Sequence, residues 1–578
     1  MEKWMIKNIK GNIKAMADAL KISETAANIL MNRGITTLSE GRSFLEPKFD
    51  YLHEPRLMKD MEKAVGIMEE AINQGRKIMI VGDYDVDGVI STFILYSAVR
   101  ECGGDVCYEI PHRVNDGYGI NCSIIERAAE AEVGLIITCD NGISAFEALQ
   151  CAADKGILVI VTDHHDIPED IEMLKASAIV NPKQKDCEYP FKSLCGAGVA
   201  YKFAKVLYEE MGVDKGSLEK YIHAAAIATV CDVVDLTGEN RIITKNSLKE
   251  LSATNNPGLK SLIRVTGLQG REITAYTLGF VIGPCINASG RLDCAKKGVE
   301  LLLAEDEKIA EALALELFQL NKERKEMTLI GVEQAVNQIE EEAMTDHSIL
   351  VVFNQKIHES IAGIVAGRLK ERYSRPVIFL TTGKHGVKGS GRSIEGYNMF
   401  EELNKCRYLL GRFGGHPMAA GMSLEEDKVQ MLRQELNKNS NLSKEDLVPK
   451  VSIDLQLPFR SIDIKLAEEL ELLEPFGKGN PKPVFAEKNI KIDRASVIGT
   501  NKNVLRLSLS QGRNRLTGVY FGDIESFRNR VEERYGELEA NRLFSGDKNK
   551  VSLDLAFNVD INDYMGNRNV QLIITNFR

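Results

Sequence analysis

The stretch KIMIVGDYDVDG, residues 77–88, sets the reading of the whole chain. A short unbroken apolar run stopped by glycine is the pattern of a strand buried on both faces. Directly after it come Asp83, Asp85 and Asp87, at alternate positions that an extended backbone would turn to one side. Gly82 and Gly88 permit tight turns around them. Three like charges on one rim repel unless a cation neutralises them. A calcium-binding helix–loop–helix fits poorly, because a strand precedes the acids and no Glu stands at loop position 12. A solvated acidic turn is the plain alternative.

Outward from this stretch, further apolar runs follow: DVCYEI (105–110), GLIIT (134–138), ILVIV (157–161) and SAIV (177–180). Amphipathic segments such as CSIIERAAEAE (122–132) and AFEALQCAADKG (145–156) separate them. Strands alternating with helices predict a parallel α/β sheet, whose ligand site lies beyond the carboxyl ends of its strands. At that end GLIIT leads into Cys139, Asp140, Asn141 and Gly142, and ILVIV into Thr162, Asp163, His164, His165 and Asp166. Asp232, in ATVCDVVDL, is a further candidate acid, with Asp235 near it. Carboxylates with imidazole and no thiolate requirement suit Mg²⁺ or Mn²⁺ better than structural zinc. There are enough ligands for two ions ~3.5–4 Å apart, a pair that activates water for attack on phosphorus. The expected substrate is therefore a phosphodiester or pyrophosphate. Asp166 reads as a surface acid or cap, Cys139 and Cys231 as small core residues, and His53, His223 and His347 as structural.

Basic residues stand near this rim. Arg113 follows the DVCYEI strand in PHRVNDGYG (111–119), and a guanidinium there could hold a phosphate through two parallel hydrogen bonds. Gly389, Ser390, Gly391, Arg392 and Ser393 form one glycine-rich segment, and GRFGGHPMAAG (411–421), with Gly415 and His416, forms another. Such small-residue surfaces let a phosphate backbone approach closely. Structural ion pairs and ordinary turns are the alternatives.

The rest of the chain frames these motifs. Residues 1–50 read as a helical cap and 51–300 as the catalytic α/β domain. A connecting helix is expected within 301–347, its apolar stripe running through Leu313, Leu317, Leu320, Leu329 and Val332. A second, smaller α/β domain occupies 348–436 and a polar linker 437–450. Strand-like runs from 451 to 578 predict a small β-barrel or sandwich. The 578 residues suggest roughly three or four domains. With 44% hydrophobic residues there is ample material for packed cores. No apolar run approaches the ~20 residues of a membrane span, and the first residues lack the apolar core of a signal peptide. Eleven cysteines without a CxxC pair argue for a reducing cytoplasm, with no membrane partner. The net charge of −10 excludes a protein that coats duplex DNA over its whole surface. Basic nucleic-acid contacts, if present, must be local.

The motifs GDYDVDG, CDNG and TDHH, in this order, resemble the DHH phosphoesterase superfamily, and GGHPMAAG resembles its companion DHHA1 domain. HRVNDGYG, GPCINASGRLD (283–293) and LLEPFGKGNPKPVF (472–485) are similar to segments of the RecJ family of single-strand-specific exonucleases. The resemblance implies a cytoplasmic, two-metal (Mn²⁺ or Mg²⁺) 5′-to-3′ exonuclease acting on single-stranded DNA in repair and recombination. It also implies that the C-terminal barrel is an OB-fold, with a helicase and a single-strand-binding protein as candidate partners. By matching position it makes Asp85, Asp87, Asp140, His164 and Asp232 metal ligands, with Asp140 bridging. Asp83 stands close by, Asp163 orients a ligand and His165 faces the scissile phosphate. Arg113, Ser390 and Arg392 would hold the 5′ end, with Arg291, Gly415 and His416 alongside. One departure is Cys285, where many relatives carry Arg; Arg291 is the candidate substitute. Two rivals are a short-oligonucleotide or cyclic-dinucleotide phosphodiesterase of the same superfamily and a non-catalytic single-strand-binding scaffold.

Overall fold

The computed structural model describes every residue except 1, 9, 10, 114, 215, 217, 385 and 565, together with the side chain of residue 564. Val114, within HRVNDGYG, thus lies outside the described residues. The chain divides into two compact units. One comprises His53–Val234 and Asn246–Pro449; the other comprises Glu2–Leu52, Asp235–Lys245 and Lys450–Arg578, and contains the first strand, β1 (Lys3–Ile6).

In the first unit, β2 (Ile78–Val81), β3 (Val106–Glu109), β4 (Leu135–Cys139), β5 (Leu158–Thr162) and β6 (Ala178–Val180) form the expected five-stranded parallel sheet, in the order β3-β2-β4-β5-β6. β2 and β4 are buried throughout, which is why their sequences are unbroken apolar runs. One face carries a core in which Ile136 and Val161 meet Ile124 and Leu149 from the flanking helices. Strand order reverses at β2, whose neighbours are β3 and β4, so the crevice of this sheet opens beyond the ends of β2 and β4.

The connecting helix is present as Glu307–Glu341, 35 residues long. Its buried face differs from the expected stripe: Ala310, Ala314, Leu317, Asn321, Thr328, Gly331, Ala335 and Ile339 are buried, whereas Leu329 is 70% exposed. Close packing on both sides selects the small residues and leaves Leu329 outside. A mixed sheet follows, built of β7 (Leu350–Phe353), β8 (Val377–Gly383), β9 (Gly386–Arg392), β10 (Phe413–His416) and β11 (Ala419–Leu424), in the order β10-β11-β9-β8-β7. Among the described residues only β7 and β8 pair in parallel within it.

In the second unit β12 (Lys450–Ile453) pairs in parallel with β1. β13 (Leu455–Gln456), β14 (Phe485–Ile498), β15 (Val504–Gln511), β16 (Asn514–Tyr520), β17 (Ser552–Tyr564) and β18 (Asn567–Phe577) form one sheet, which an extra β14–β17 pairing closes into a barrel. Helices Ile524–Tyr535 and Glu537–Ser545 interrupt the strands, an insertion the reading of that region as strands alone did not anticipate. Met16, Leu30 and Phe44 of the N-terminal helices share one core with Phe485, Phe557 and Leu572 of the barrel. The buried Arg241 guanidinium lies 3.7 Å from the Phe44 ring centre and donates to the carbonyls of Phe44, Leu472, Leu473 and Glu474. Among the described residues no helix is long and apolar enough to cross a membrane.

Candidate metal centre and arginine cluster

The three aspartates after β2 are not on extended backbone. Asp83 lies in the loop, Asp85 is the N-cap of helix Val86–Glu101, and Asp87 is in that helix's first turn. The Asp85 carboxylate accepts the Gly88 N–H at 3.1 Å, satisfying one of the open donors of the helix start. The expectation that all three acids point one way is therefore corrected: helix capping overrides the two-residue period. Asp87, 1% exposed, accepts the backbone N–H groups of Gly196 (2.6 Å) and Ala197 (2.8 Å), the first residues of helix Gly196–Met211. Gly196 is required there, because a Cβ would lie 2.7 Å from Asp140 Cβ.

Asp140, at the end of β4, has a left-handed backbone (φ 62°) that costs an ordinary residue energy and persists only where its surroundings impose it. They do. Tyr118 donates its hydroxyl to the Asp140 carbonyl at 2.8 Å, and the buried Asn141 amide donates to the Val81 and Cys139 carbonyls. The Asp140 side chain faces His164, which follows β5: His164 Nε2 is 3.0 Å from Asp140 Oδ1, 3.6 Å from Asp87 Oδ2 and 3.7 Å from Asp232 Oδ2. Two overlapping triads result, Asp87–His164–Asp232 and Asp140–His164–His165, with ligand atoms within 4.8 Å of one another in each.

This centre is electrostatically frustrated by itself. Burial, then the neighbouring carboxylates, raise Asp83 and Asp140 well above the ordinary range, and Asp87 to about 6. Burial, then His165, lowers His164 to about 3, so its ring is neutral. Asp140 Oδ1, His164 Nε2 and Asp83 Oδ2 are buried without a hydrogen-bond partner. Two bare acceptors 3.0 Å apart, ringed by carboxylates, are the donor set a divalent cation satisfies. The ring of His164 also hydrogen-bonds the Leu194 backbone, which fixes its orientation.

Asp163 is turned away from this set. Its oxygens accept from the backbone N–H groups of Ile143 (3.0 Å), His164 (2.7 Å) and His165 (3.1 Å), and lie 2.7 Å from His165 Nδ1. Burial opposes ionisation, but these bonds and the two imidazoles prevail and hold Asp163 down to about 2. The same pairing overcomes the burial of His165 and lifts it to about 9. Asp163 is therefore a brace for both histidines. Of the expected ligands, Asp87, Asp140, His164 and Asp232 converge, whereas Asp85 falls in neither triad. Sequence reasoning missed the Gly196 and Ala197 amides and the Tyr118 hydroxyl. Backbone donors have no side-chain signature, although GAG opening a small-residue helix is a usable sign.

The basic residues gather in the same unit. Arg113 lies 3.9 Å from the Tyr84 ring centre, with its Nε buried and unpartnered. Arg291 Nη1 donates to the Ser360 carbonyl at 2.8 Å, and Arg392 Nη1 donates to Ser390 Oγ and the Gly391 carbonyl, each at 2.8 Å. Burial, then Arg113, Arg324 and Arg392, lowers Arg291 to about 10, the mirror image of the crowded acids. Gly415 and His416 lie on the exposed β10–β11 hairpin, and His416 is close enough to Asp166 to help lower its carboxyl, after Lys183. Asp166 is a surface acid 2.9 Å from Lys183 Nζ. Cys285 is buried, accepts from Asn321 Nδ2 at 3.3 Å and donates to the Val281 carbonyl.

The parallel sheet with acids and imidazole at its switch point, coupled to a mixed-sheet partner, defines a phosphoesterase of the DHH class. Family profiles agree: the DHH family N-terminal domain matches residues 77–229, the DHHA1 domain 346–441 and the RecJ OB domain 453–576. Within that class the chain belongs to the RecJ family. It is 36% identical over 566 residues to the single-stranded-DNA-specific exonuclease RecJ of Bacillus subtilis (strain 168), spanning 97% of this chain and 69% of that one. It is 34% identical over 540 residues to the Escherichia coli (strain K12) protein of the same name, spanning 90% of each. Among solved structures, RecJ of Thermus thermophilus in complex with Mn²⁺ superposes with a TM-score of 0.83 at 27% identity, covering all of this chain (100%) and 79% of that one. The Mg²⁺ complex of the same protein gives 0.77 at 25% identity, covering 100% of this chain and 78% of that one.

Proposed function

We propose that this chain is a divalent-cation-dependent exonuclease that degrades single-stranded DNA from the 5′ end to 5′-mononucleotides. Its place is cytoplasmic DNA repair and recombination, with a helicase and a single-strand-binding protein as partners. The observation that carries the reading is the pair of buried, unpartnered acceptors Asp140 Oδ1 and His164 Nε2, 3.0 Å apart. Asp87, Asp140, His164 and Asp232 would hold the ions, and Asp85 would complete the rim. When bound, Mn²⁺ or Mg²⁺ supplies an activated water and charge compensation at phosphorus. Asp163 accepts from His165 Nδ1 and keeps the ring protonated at neutral pH, so His165 Nε2, 3.4 Å from the Tyr118 hydroxyl, also carries a proton that it can donate to the scissile phosphate. Arg113, Arg291, Ser390 and Arg392 bind the terminal 5′-phosphate and set the register, with Gly415 and His416 lining the approach of the strand.

Timed digestion of 5′-labelled and 3′-labelled oligonucleotides with Mn²⁺, Mg²⁺ or EDTA tests this. Mononucleotide released at once from the 5′ label, a ladder from the 3′ label and no turnover in EDTA are expected. Turnover on dinucleotides or cyclic dinucleotides with none on long strands would overturn it, and so would turnover in EDTA.

A further inference from the structure

Behind Arg291, on the face shared by helices Gly283–Leu292, Glu307–Glu341 and Ala362–Tyr373, lies a cavity of about 660 Å³. Its lining includes four cations, Arg291, Arg324, Lys325 and Arg368, and, among the described residues, no carboxylate. Arg324 is aimed by Asn321, whose Oδ1 accepts from Arg324 Nε (3.1 Å) and Nη2 (2.9 Å) while its amide donates to Cys285. Arg368 is 3.7 Å from Glu371, but both side chains are exposed and such a pair is weak. The apolar part of the lining is Phe280, Pro284, Leu329, Val332 and Ile364. Phe280 is 62% exposed and stacks on the equally exposed Tyr276, with ring centres 4.8 Å apart and planes at 26°. Phe280 projects from a π-helical turn, Leu278–Ile282, a wide and uncommon backbone frequently found at functional sites.

We infer that this cavity binds a nucleoside phosphate, with the phosphate on Arg324, Lys325 and Arg368 and the base against Phe280 and Tyr276. An exposed aromatic stack beside guanidinium groups with little opposing charge is the chemistry that recognises a base and its phosphate together, and the volume is that of a small-molecule site. The cavity shares Arg291 with the arginine cluster but no residue with the two metal triads; the site itself does not rest on the exonuclease reading, and only the second dAMP equivalent in the test does. The nucleotide has two sources, the free mononucleotide or a residue of a strand, and both present the same groups.

The test is calorimetric titration of the full chain in EDTA with 2′-deoxyadenosine 5′-monophosphate (dAMP), deoxyadenosine and 5′-phosphorylated dT12. Two molar equivalents of dAMP are expected. One is weakened at least tenfold in Arg324→Ala/Arg368→Ala and in Phe280→Ala, the other in Arg113→Ala. Deoxyadenosine should bind at least tenfold more weakly than dAMP. Lys325→Ala/Arg368→Ala, two surface changes, stands in if the first pair lowers the thermal midpoint. Loss of dAMP with dT12 affinity kept makes the ligand the free nucleotide; loss of both makes it strand-borne. A single equivalent of dAMP, removed by Arg113→Ala and untouched by either cavity pair, overturns the site.

Discussion

The metal centre and the arginine cluster are opposite solutions to one problem, holding like charges together without their counter-charge. In the centre, carboxylates are fixed by backbone N–H groups, Gly196 and Ala197 on Asp87 and three amides on Asp163. In the cluster, guanidinium groups are fixed by carbonyls, a hydroxyl and the Tyr84 ring. Burial first, and like-charge crowding after it, raises the carboxyls and lowers the guanidinium group of Arg291. The difference lies in burial. Asp83, Asp87, Asp140 and His164 are all under 9% exposed, so the centre has little water with which to relieve its repulsion and depends on an ion. The cluster retains partial contact with solvent and can wait for a phosphate. The centre should therefore respond to substitution all-or-none and the cluster by degrees.

The most severe break is Asp140→Asn. It keeps the shape but removes the charge that faces His164, the residue common to both triads, and its amide can donate to His164 Nε2. Hydrolysis should fall by at least a factor of about a thousand, because the residual binding groups cannot replace an ion-holding carboxylate. The thermal midpoint in EDTA should hold or rise, since a buried like charge is gone. Turnover and midpoint, read on one preparation with and without Mn²⁺, check this; near-normal turnover at saturating Mn²⁺ would remove Asp140 from the centre.

Next comes Asp163→Asn, which unseats the brace rather than a ligand. Loss of a group that orients metal ligands typically costs about 10–100-fold in metal affinity or activity. A shift of the Mn²⁺ activation midpoint by that factor, with turnover partly restored at high Mn²⁺, is expected from titrating activity against the ion. Loss with no rescue at any concentration would make Asp163 a ligand or a catalytic group. Arg392→Ala then probes the cluster. A charge-assisted contact is worth roughly 1.5–3 kcal/mol, about one to two decades. Discrimination of 5′-phosphate over 5′-hydroxyl strands should drop by that much in steady-state kinetics on matched substrates, and Arg392→Lys should recover part of it. Equal loss on both substrates would mean that Arg392 holds the backbone and does not read the end.

Legibility in the sequence follows the same division. The acids were readable because three neighbouring strands, β2 and β4 buried throughout and β5 beyond Leu158, each end in Asp within a few residues; His164 lies against both Asp140 and Asp232, the latter following a helix. The brace role of Asp163 was only partly readable, since DHH alone does not say which of three adjacent polar side chains turns inward. The local path of Asp85 and Asp87 was misjudged although its sign was present: Asp85, ahead of an apolar helical run with Gly88 three residues on, is a helix start. The Gly196 and Ala197 amides and the Tyr118 hydroxyl reach the centre from distant segments, which periodicity cannot report. Likewise, the core shared by residues of the N-terminal helices and the barrel joins positions hundreds of residues apart. The small-residue face of the connecting helix defeated a stripe of leucines because close packing, and not hydrophobicity alone, chooses what is buried.

The smallest effect is on stability and needs no substrate. In EDTA the centre holds Asp87 near 6 and Asp83 and Asp140 well above their ordinary value, so the folded chain binds protons that the unfolded chain has released. A raised folded-state pKa contributes stability that is fully present below about pH 4, the ordinary carboxyl range, and is lost as pH rises through the folded value. The Asp163–His165 pair has two parts. Asp163, depressed to about 2, contributes above the ordinary carboxyl range; His165, raised to about 9, contributes below about 6.5 and loses this between about 6.5 and 9. His164, lowered to about 3, acts the other way and gains stability as pH rises to about 6.5, so the carboxyls and His165 go unopposed only above that. The thermal midpoint of the metal-free chain should fall steadily from about pH 6.5 to 9. Mn²⁺ should flatten the carboxylate part of that fall, because an ion replaces the protons. Asp140→Asn should flatten it in EDTA as well. Arg392→Ala should leave the slope unchanged, since the cluster does not titrate in this window. A metal-free midpoint independent of pH, or a slope that Arg392→Ala changes as much as Asp140→Asn does, would show that the two regions are not the opposites described.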